Sequence, residues 1–182
     1  MSFHPTTQRL VLRAPTMTDR PAFVGLLGDY AVAMNLRTVP HPYNDTLFRE
    51  FLVQSDQRRR DGTDHDFAVT RAMDGALIGV CSVARGADGA WELGFWYGKP
   101  YWGQGYATEA AWPVMRFAFE DFGAERLTAA WFDDDPAAGA VLHKLGFAVT
   151  SVTPLKSLAR GCEALANRVQ LTKEQFARKK AA

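Results

Sequence analysis

Arg9 to Arg13 reads Arg-Leu-Val-Leu-Arg, apolar residues bracketed by charges and followed by Pro15, and predicts a first strand with a proline stop. The period then lengthens. Thr18 or Asp19 can cap a helix whose first turn tolerates Pro21, and Phe23, Leu26, Leu27 and Tyr30 fall on one face of it. After the loop Pro40-His-Pro42, the residues Leu47, Phe48, Phe51 and Leu52 repeat that spacing in a second amphipathic segment. From Phe67 the period shortens again. Phe67 to Thr70, Leu77 to Val83 and Trp91 to Tyr97 read as three strands joined at Asp74-Gly75 and Asp88-Gly89, residue pairs favoured in tight hairpin turns. A helix follows over about Ala107 to Phe122, with Ala107, Ala110, Ala111, Val114, Phe117 and Ala118 among its apolar positions. Pro113 inside that pattern predicts a kink or a displaced start. Arg126 to Phe132 reads as a strand, Ala137 to Leu145 as a short helix, and Phe147 to Val152 and Glu163 to Leu171 as the last strands. The order implies one α/β (α+β) domain over residues 7–172, a mixed sheet of about six to seven strands flanked by about four to five helices. Residues 173–182 form a lysine-rich tail, either a short helix or disordered.

Composition narrows the function classes. The 182 residues suit one domain, and 47% hydrophobic with 23% charged is an ordinary globular balance. The net charge of +1 offers no broad field to a polyanion. Arg58-Arg59-Arg60 is followed by Asp61, Asp64 and Asp66, which offset it, so it reads as a solvated helix end and not as a nucleic-acid footprint. Two cysteines, Cys81 and Cys162, are too few for a disulfide framework, and His4, His41, His65 and His143 have no ligand spacing, so no metal is expected. Met1 to Arg9 lacks the apolar stretch of a secretion signal, and no apolar run is long enough to cross a bilayer. The expected address is cytoplasmic, with no membrane partner.

The candidate chemistry sits at one turn. Gly103, Gln104, Gly105, Tyr106 and Ala107, with Thr108 just inside the helix, join a strand to a helix N-terminus, where backbone N–H groups and the helix dipole converge on an anion such as a phosphate or pyrophosphate. The Thr108 hydroxyl can add to a phosphate oxygen or simply cap the helix. No Walker A loop is present, and the position of a dinucleotide fingerprint's third glycine holds Thr108.

The stretch Trp91-Glu-Leu-Gly-Phe-Trp-Tyr-Gly-Lys-Pro-Tyr-Trp-Gly-Gln-Gly-Tyr-Ala-Thr-Glu-Ala110, with Leu142-His-Lys-Leu-Gly-Phe147 downstream, resembles the GNAT superfamily of N-acetyltransferases. Within it the chain looks like the ribosomal-protein N-terminal acetyltransferase (RimJ/RimL-like) branch, from Thr7-Gln-Arg-Leu-Val-Leu-Arg13 to Leu171. The resemblance implies an acetyl-CoA site. The pantetheine arm would lie along backbone groups of Phe95, Trp96 and Tyr97. The pyrophosphate would sit on a turn whose family pattern is glutamine or arginine, two free positions, glycine, one free position, then glycine or alanine. Gly105 and Ala107 match the last two fixed positions, and Trp102 stands at the first. Asp135 would tie down the loop beside the cofactor, and Lys144 belongs to the downstream motif. Homodimers are common in the family, so a homodimer is a possible partner state.

Acetyl transfer to an amine needs a neutral amine, a polarised carbonyl and a released thiolate. Glu92, on the strand leading to the turn, is the candidate base, at a place where many family members carry a glutamate. Glu109 in the helix's first turn is explained by the dipole alone. The resemblance breaks on the acid side: the family's usual serine and tyrosine positions are Ala138 and Leu142. Solvent, or one of Tyr97, Tyr101, Tyr106 and His143, is left to protonate the thiolate. Asp133, Asp134 and Asp135 either attract a cationic amine or cap the following helix. The resemblance implies that acceptor specificity falls to the two N-terminal helices, their connecting loop around Leu36 to Asn44 and the final strands around Ser157 to Asn167. Tyr30, Tyr43, Phe51, Trp91, Trp96 and Trp131 serve as core or as pocket wall. The acceptor is a protein N-terminus or a small amine, and the alternative is a weakly catalytic or non-catalytic acyl-CoA-binding module.

Overall fold

Seven strands form one sheet in the computed structural model, which describes residues 4–86 and 88–181. They are β1 (Leu10–Arg13), β2 (Asp64–Arg71), β3 (Leu77–Arg85), β4 (Trp91–Tyr97), β5 (Arg126–Phe132), β6 (Ala148–Ser157) and β7 (Cys162–Thr172), in the order β1-β2-β3-β4-β5-β7-β6. The first three residues of the segment read for a leader lie outside the described residues. All neighbours run antiparallel except β4 and β5, which are parallel. A parallel pair needs a crossover, and helix α4 (Tyr106–Glu120) supplies it. In the predicted β2–β4 meander, the Asp74 and Asp88 carboxylates each accept a turn N–H, from Ala76 and Ala90, at 3.1 Å.

Strand alternation divides the core between the two sheet faces. Phe67, Val69, Cys81, Val83, Trp91, Leu93 and Tyr97 face α4, together with helices α5 (Pro136–Leu145) and α6 (Lys173–Ala181). Ala68, Val80 and Trp96 face helices α1 (Arg20–Leu27), α2 (Tyr30–Ala33) and α3 (Asp45–Asp61), where Trp96 meets Phe23 edge-on at 5.3 Å. The tail helix α6 is anchored by Phe176, stacked on Phe119 at 4.7 Å.

Among the described residues six helices form where four to five were expected, because the first one breaks. Asp29 is extended, and its side chain accepts from Ala31 N–H at 2.9 Å, ending α1 at Gly28 and capping α2. Tyr30, expected on the core face, is therefore exposed and packs edge-on against His41. Helix α4 runs unbroken through Pro113, so a start at that proline is excluded. Strand β6 extends past Val152 through Pro154, tolerated because β6 is the outermost strand. The arginine run closes α3, with Arg58 paired to Asp64 and Arg60 to Asp56. Among the described residues, no helix is long and apolar enough to cross a membrane.

One ion pair ties β1 to the first helical turn. Arg13 donates to both oxygens of Asp19, at 2.8 and 2.6 Å, and Thr16 N–H donates to the same carboxylate at 2.8 Å. Asp19 is only 5% exposed. Burial by itself would raise its carboxyl, but the hydrogen bonds from Arg13 and Thr16 outweigh it and hold the group below the usual carboxylate range. A depressed folded value means that the stabilisation is fully present above the unfolded pKa, about 4, and fades as pH falls below it. Asp19→Asn is expected to cost about 2–3 kcal/mol near neutral pH. Denaturation midpoints of parent and variant should converge below about pH 3; a gap that stays constant with pH would contradict this account of the pair.

Candidate active site

Strands β4 and β5 are ladder partners only at Trp91↔Leu127 and Glu92↔Thr128. Beyond that point they part, while on its other edge β5 stays paired along its whole length with β7, from Arg126↔Thr172 to Phe132↔Ala166. Leu93 to Tyr97 keep β3 on one side, and among the described residues no strand pairs with them on the other. An internal strand edge with free N–H and C=O groups can pair with an extended, amide-bearing chain.

That edge runs into the glycine turn. Gly103 and Gly105 have φ of 72° and 80°, the left-handed region that a side chain disfavours, and Gly105 is the N-cap of α4. With no side chain at the cap, no described residue accepts a hydrogen bond from the N–H groups of Gly103 to Thr108. The loop is held from outside. The Trp102 indole donates to Tyr97 O at 2.6 Å, the Gln104 amide to Pro100 O at 2.9 Å, and Arg9 to Gln104 O at 3.0 Å. Arg9 also lies over the Tyr106 ring at 4.6 Å and pairs with Glu109 at 2.7 Å. Glu109 accepts further bonds from Thr7 Oγ1 (2.6 Å) and Arg9 N–H (2.9 Å). Desolvation opposes its ionisation, but these donors prevail and hold it below the usual range. Glu109 therefore has a more specific task than its place near the dipole suggested: it ties the N-terminal segment to the turn. Thr108 and Ala107 are half-buried beside the free N–H groups.

Glu92 sits where the fork opens, on the sheet face it shares with Trp96 and Thr128. Its Oε1 accepts from Arg37 Nη1 at 3.0 Å, and both side chains are about one-third exposed, at 35% and 38%. Arg37 and Asn35 line a narrow groove whose other walls are Ala130, Trp131, Phe132, Leu155 and Ala166. The β6–β7 hairpin end holds the loop bearing Arg37. Leu158 N–H donates to Arg37 O (3.1 Å), Ser157 Oγ to Leu36 O (3.0 Å) and Arg160 Nε to Met34 O (2.7 Å). Arg160 also grips both Asp134 oxygens, at 2.7 and 2.8 Å. A Cβ on Gly139 of α5 would lie 2.8 Å from the Trp131 ring, so a glycine there lets Trp131 stand as a groove wall.

The three consecutive carboxylates are already engaged: Asp133 accepts from Asn167, Asp134 from Arg160, and Asp135 caps α5 by accepting from Ala138 N–H at 3.2 Å. Burial raises the Asp135 carboxyl. Lys144 is exposed in the last turn of α5, roughly 13 Å along the helix from Asp135. Phe95, Trp96 and Tyr97 line the fork with the Trp102–Thr108 turn at its end; Asp135 and Lys144 are not brought together. Leu142 is buried, and the Tyr97 hydroxyl is buried without a partner among the described residues. Tyr106 is buried under Arg9, whereas His143 is exposed and meets Trp131 edge-on. Arg37 and Arg9 escaped the sequence reading. Arg9 looked like the polar flank of a strand, and Arg37 sits in an irregular loop that bears no periodic signal. Among the described residues, no group of three His, Cys, Asp or Glu side chains is placed to hold a metal.

A family model described as an acetyltransferase (GNAT) domain matches residues 9–148. The uncharacterized N-acetyltransferase p20 of Bacillus licheniformis is 22% identical over 144 residues, 78% of this chain and 80% of that protein. Mycobacterium smegmatis RimJ, solved with CoA-disulfide, superposes with a TM-score of 0.80 at 19% identity over 94% of this chain and 88% of its own. Spermidine N-acetyltransferase from Vibrio cholerae, solved with CoA and spermine, gives 0.78 at 16% identity over 94% and 99%. The two solved structures share the fold, and the family model spans most of the sequence: the chain belongs to the acetyltransferase (GNAT) domain family.

Proposed function

We propose that this protein moves the acetyl group of acetyl-CoA to a primary amine in a ternary complex. One observation carries the reading: the unpaired edge of β4, the uncapped N-terminus of α4 and the Glu92 carboxylate converge on one fork. The N–H groups of Gly103 to Thr108 would receive the pyrophosphate, with the Thr108 hydroxyl beside them. The backbone of Phe95, Trp96 and Tyr97 would pair with the pantetheine amides, and Trp102 would hold the turn against Tyr97. Asp135 acts by fixing the start of α5.

Glu92 takes a proton from the acceptor ammonium, directly or through a water. The neutral nitrogen attacks the thioester carbon, a backbone N–H at the fork meets the carbonyl oxygen, and the now cationic nitrogen loses its second proton to solvent as the intermediate collapses to amide and thiolate. One solved relative is named a RimL ribosomal L7/L12 alpha-N-protein acetyltransferase and another a spermidine N-acetyltransferase, so both a protein N-terminus and a small amine belong in the acceptor panel. Ala138 and Leu142 put no hydroxyl where the family usually has one, and solvent protonates the thiolate in this reading. The same two residues favour the second reading, an acyl-CoA-binding module with little turnover.

Calorimetric titration with acetyl-CoA, followed by CoA-thiol release across short peptides, amino acids, polyamines and aminoglycosides, separates the two readings. Turnover with one class is expected, and Glu92→Gln should lower kcat roughly 10²- to 10⁴-fold while acetyl-CoA still binds. Binding without turnover of any amine would hand the case to the module. Gly105→Ala forces a side chain into the left-handed region at about 1–2 kcal/mol. It should weaken acetyl-CoA roughly tenfold in the same titration, and an unchanged affinity would remove the turn from the site.

A further inference from the structure

The Arg37–Glu92 pair sits at the junction of the fork and the groove, and it restricts which amine can react. At about one-third exposure each, the two charges are held weakly while water reaches them. An acceptor that settles over the mouth of the groove displaces that water. Its ammonium must approach Glu92, the proposed base, and it then stands beside the Arg37 guanidinium. An amine with no anion leaves Arg37 to compete for Glu92 in a drier site, where an unpartnered charge is costly. An acceptor that brings a carboxylate next to its amine resolves the conflict: guanidinium and carboxylate pair in the fork geometry that suits them. The remaining walls, Ala130, Trp131, Phe132, Leu155 and Ala166, enclose room for only about one water, so they offer apolar surface at the groove's rim to whatever else the acceptor carries.

We propose that the acceptor is a free α-amino acid with an apolar side chain, whose carboxylate pairs with Arg37 while its amine is delivered to Glu92. This rests on the acetyl-transfer reading above and specifies its substrate. In the reaction the α-nitrogen forms a bond to the acetyl carbon as the carbon–sulfur bond breaks. Glu92 receives the first amine proton, the nitrogen gives its second to solvent after the attack, and the CoA thiolate takes a proton from solvent. A peptide N-terminus has an amide where the carboxylate should be, and a polyamine has no anion at all.

The test compares leucine, leucinamide, a leucine-initiated tripeptide and spermidine as acceptors, in parent and Arg37 variants, with acetyl-CoA affinity measured alongside. The parent should favour leucine over leucinamide roughly 10- to 100-fold in kcat/KM, the value of a charge-assisted hydrogen-bond pair. Arg37→Met should bring that ratio to about one, chiefly through the KM for leucine, and Arg37→Lys should recover part of it. Retained acetyl-CoA affinity shows that each variant is folded. If acetyl-CoA binds and the amide, peptide or polyamine is used as well as leucine or better, or leucine is not acetylated at all, the inference is overturned while the cofactor site stands. If acetyl-CoA does not bind the parent, the transferase reading falls and this inference falls with it.

Discussion

The candidate site depends on a single failure of pairing. β5 keeps its ladder to β7 along its whole length on one edge, but on the other edge it leaves β4 after two shared positions. Everything proposed for the site follows from that divergence. Among the described residues β4 retains past Glu92 an edge that no strand pairs with, the parallel crossover brings the start of α4 to the open end of that edge, and Glu92 marks the last position before the strands separate. The glycines of the turn complete the arrangement by denying α4 a side-chain cap, so that its first N–H groups remain available.

Polar ties then fix what the sheet alone leaves loose. Thr7 and Arg9 bind Glu109 and the Gln104 carbonyl from the N-terminal side. Arg160 and Ser157 bind the loop carrying Asn35 and Arg37 from the C-terminal side. Both ties join segments some hundred residues apart in sequence, and both end on backbone carbonyls or carboxylates beside the fork. The glycine turn and the groove are thus each positioned by an arginine outside the recognised motif.

These ties also mark what the sequence alone left unread. The strands, their order and the Gly103–Thr108 turn were legible because they depend on local period and on turn residues such as Asp74-Gly75 and Asp88-Gly89. The family followed from contiguous motifs on β4, α4 and the end of α5. The break between α1 and α2 was not legible, since Tyr30 continues the helical spacing and only the Asp29 side chain, capping Ala31, reveals the stop. The Arg37–Glu92 pair was equally hidden: neither the loop's irregular pattern nor the strand's parity specifies that two residues distant in sequence will meet at 3.0 Å. The reading of Asp133 to Asp135 as either an amine lure or a helix cap is decided locally by their partners, with Asp135 in the cap.

The most direct test of the fork as the cofactor's seat is backbone amide hydrogen exchange on the intact chain, with and without saturating acetyl-CoA. The account predicts new protection in two stretches, Leu93 to Tyr97 and Gly103 to Thr108, with no comparable change in β1, β2 or α3. Binding that leaves both stretches exchanging as before, or that protects a different surface, would contradict it.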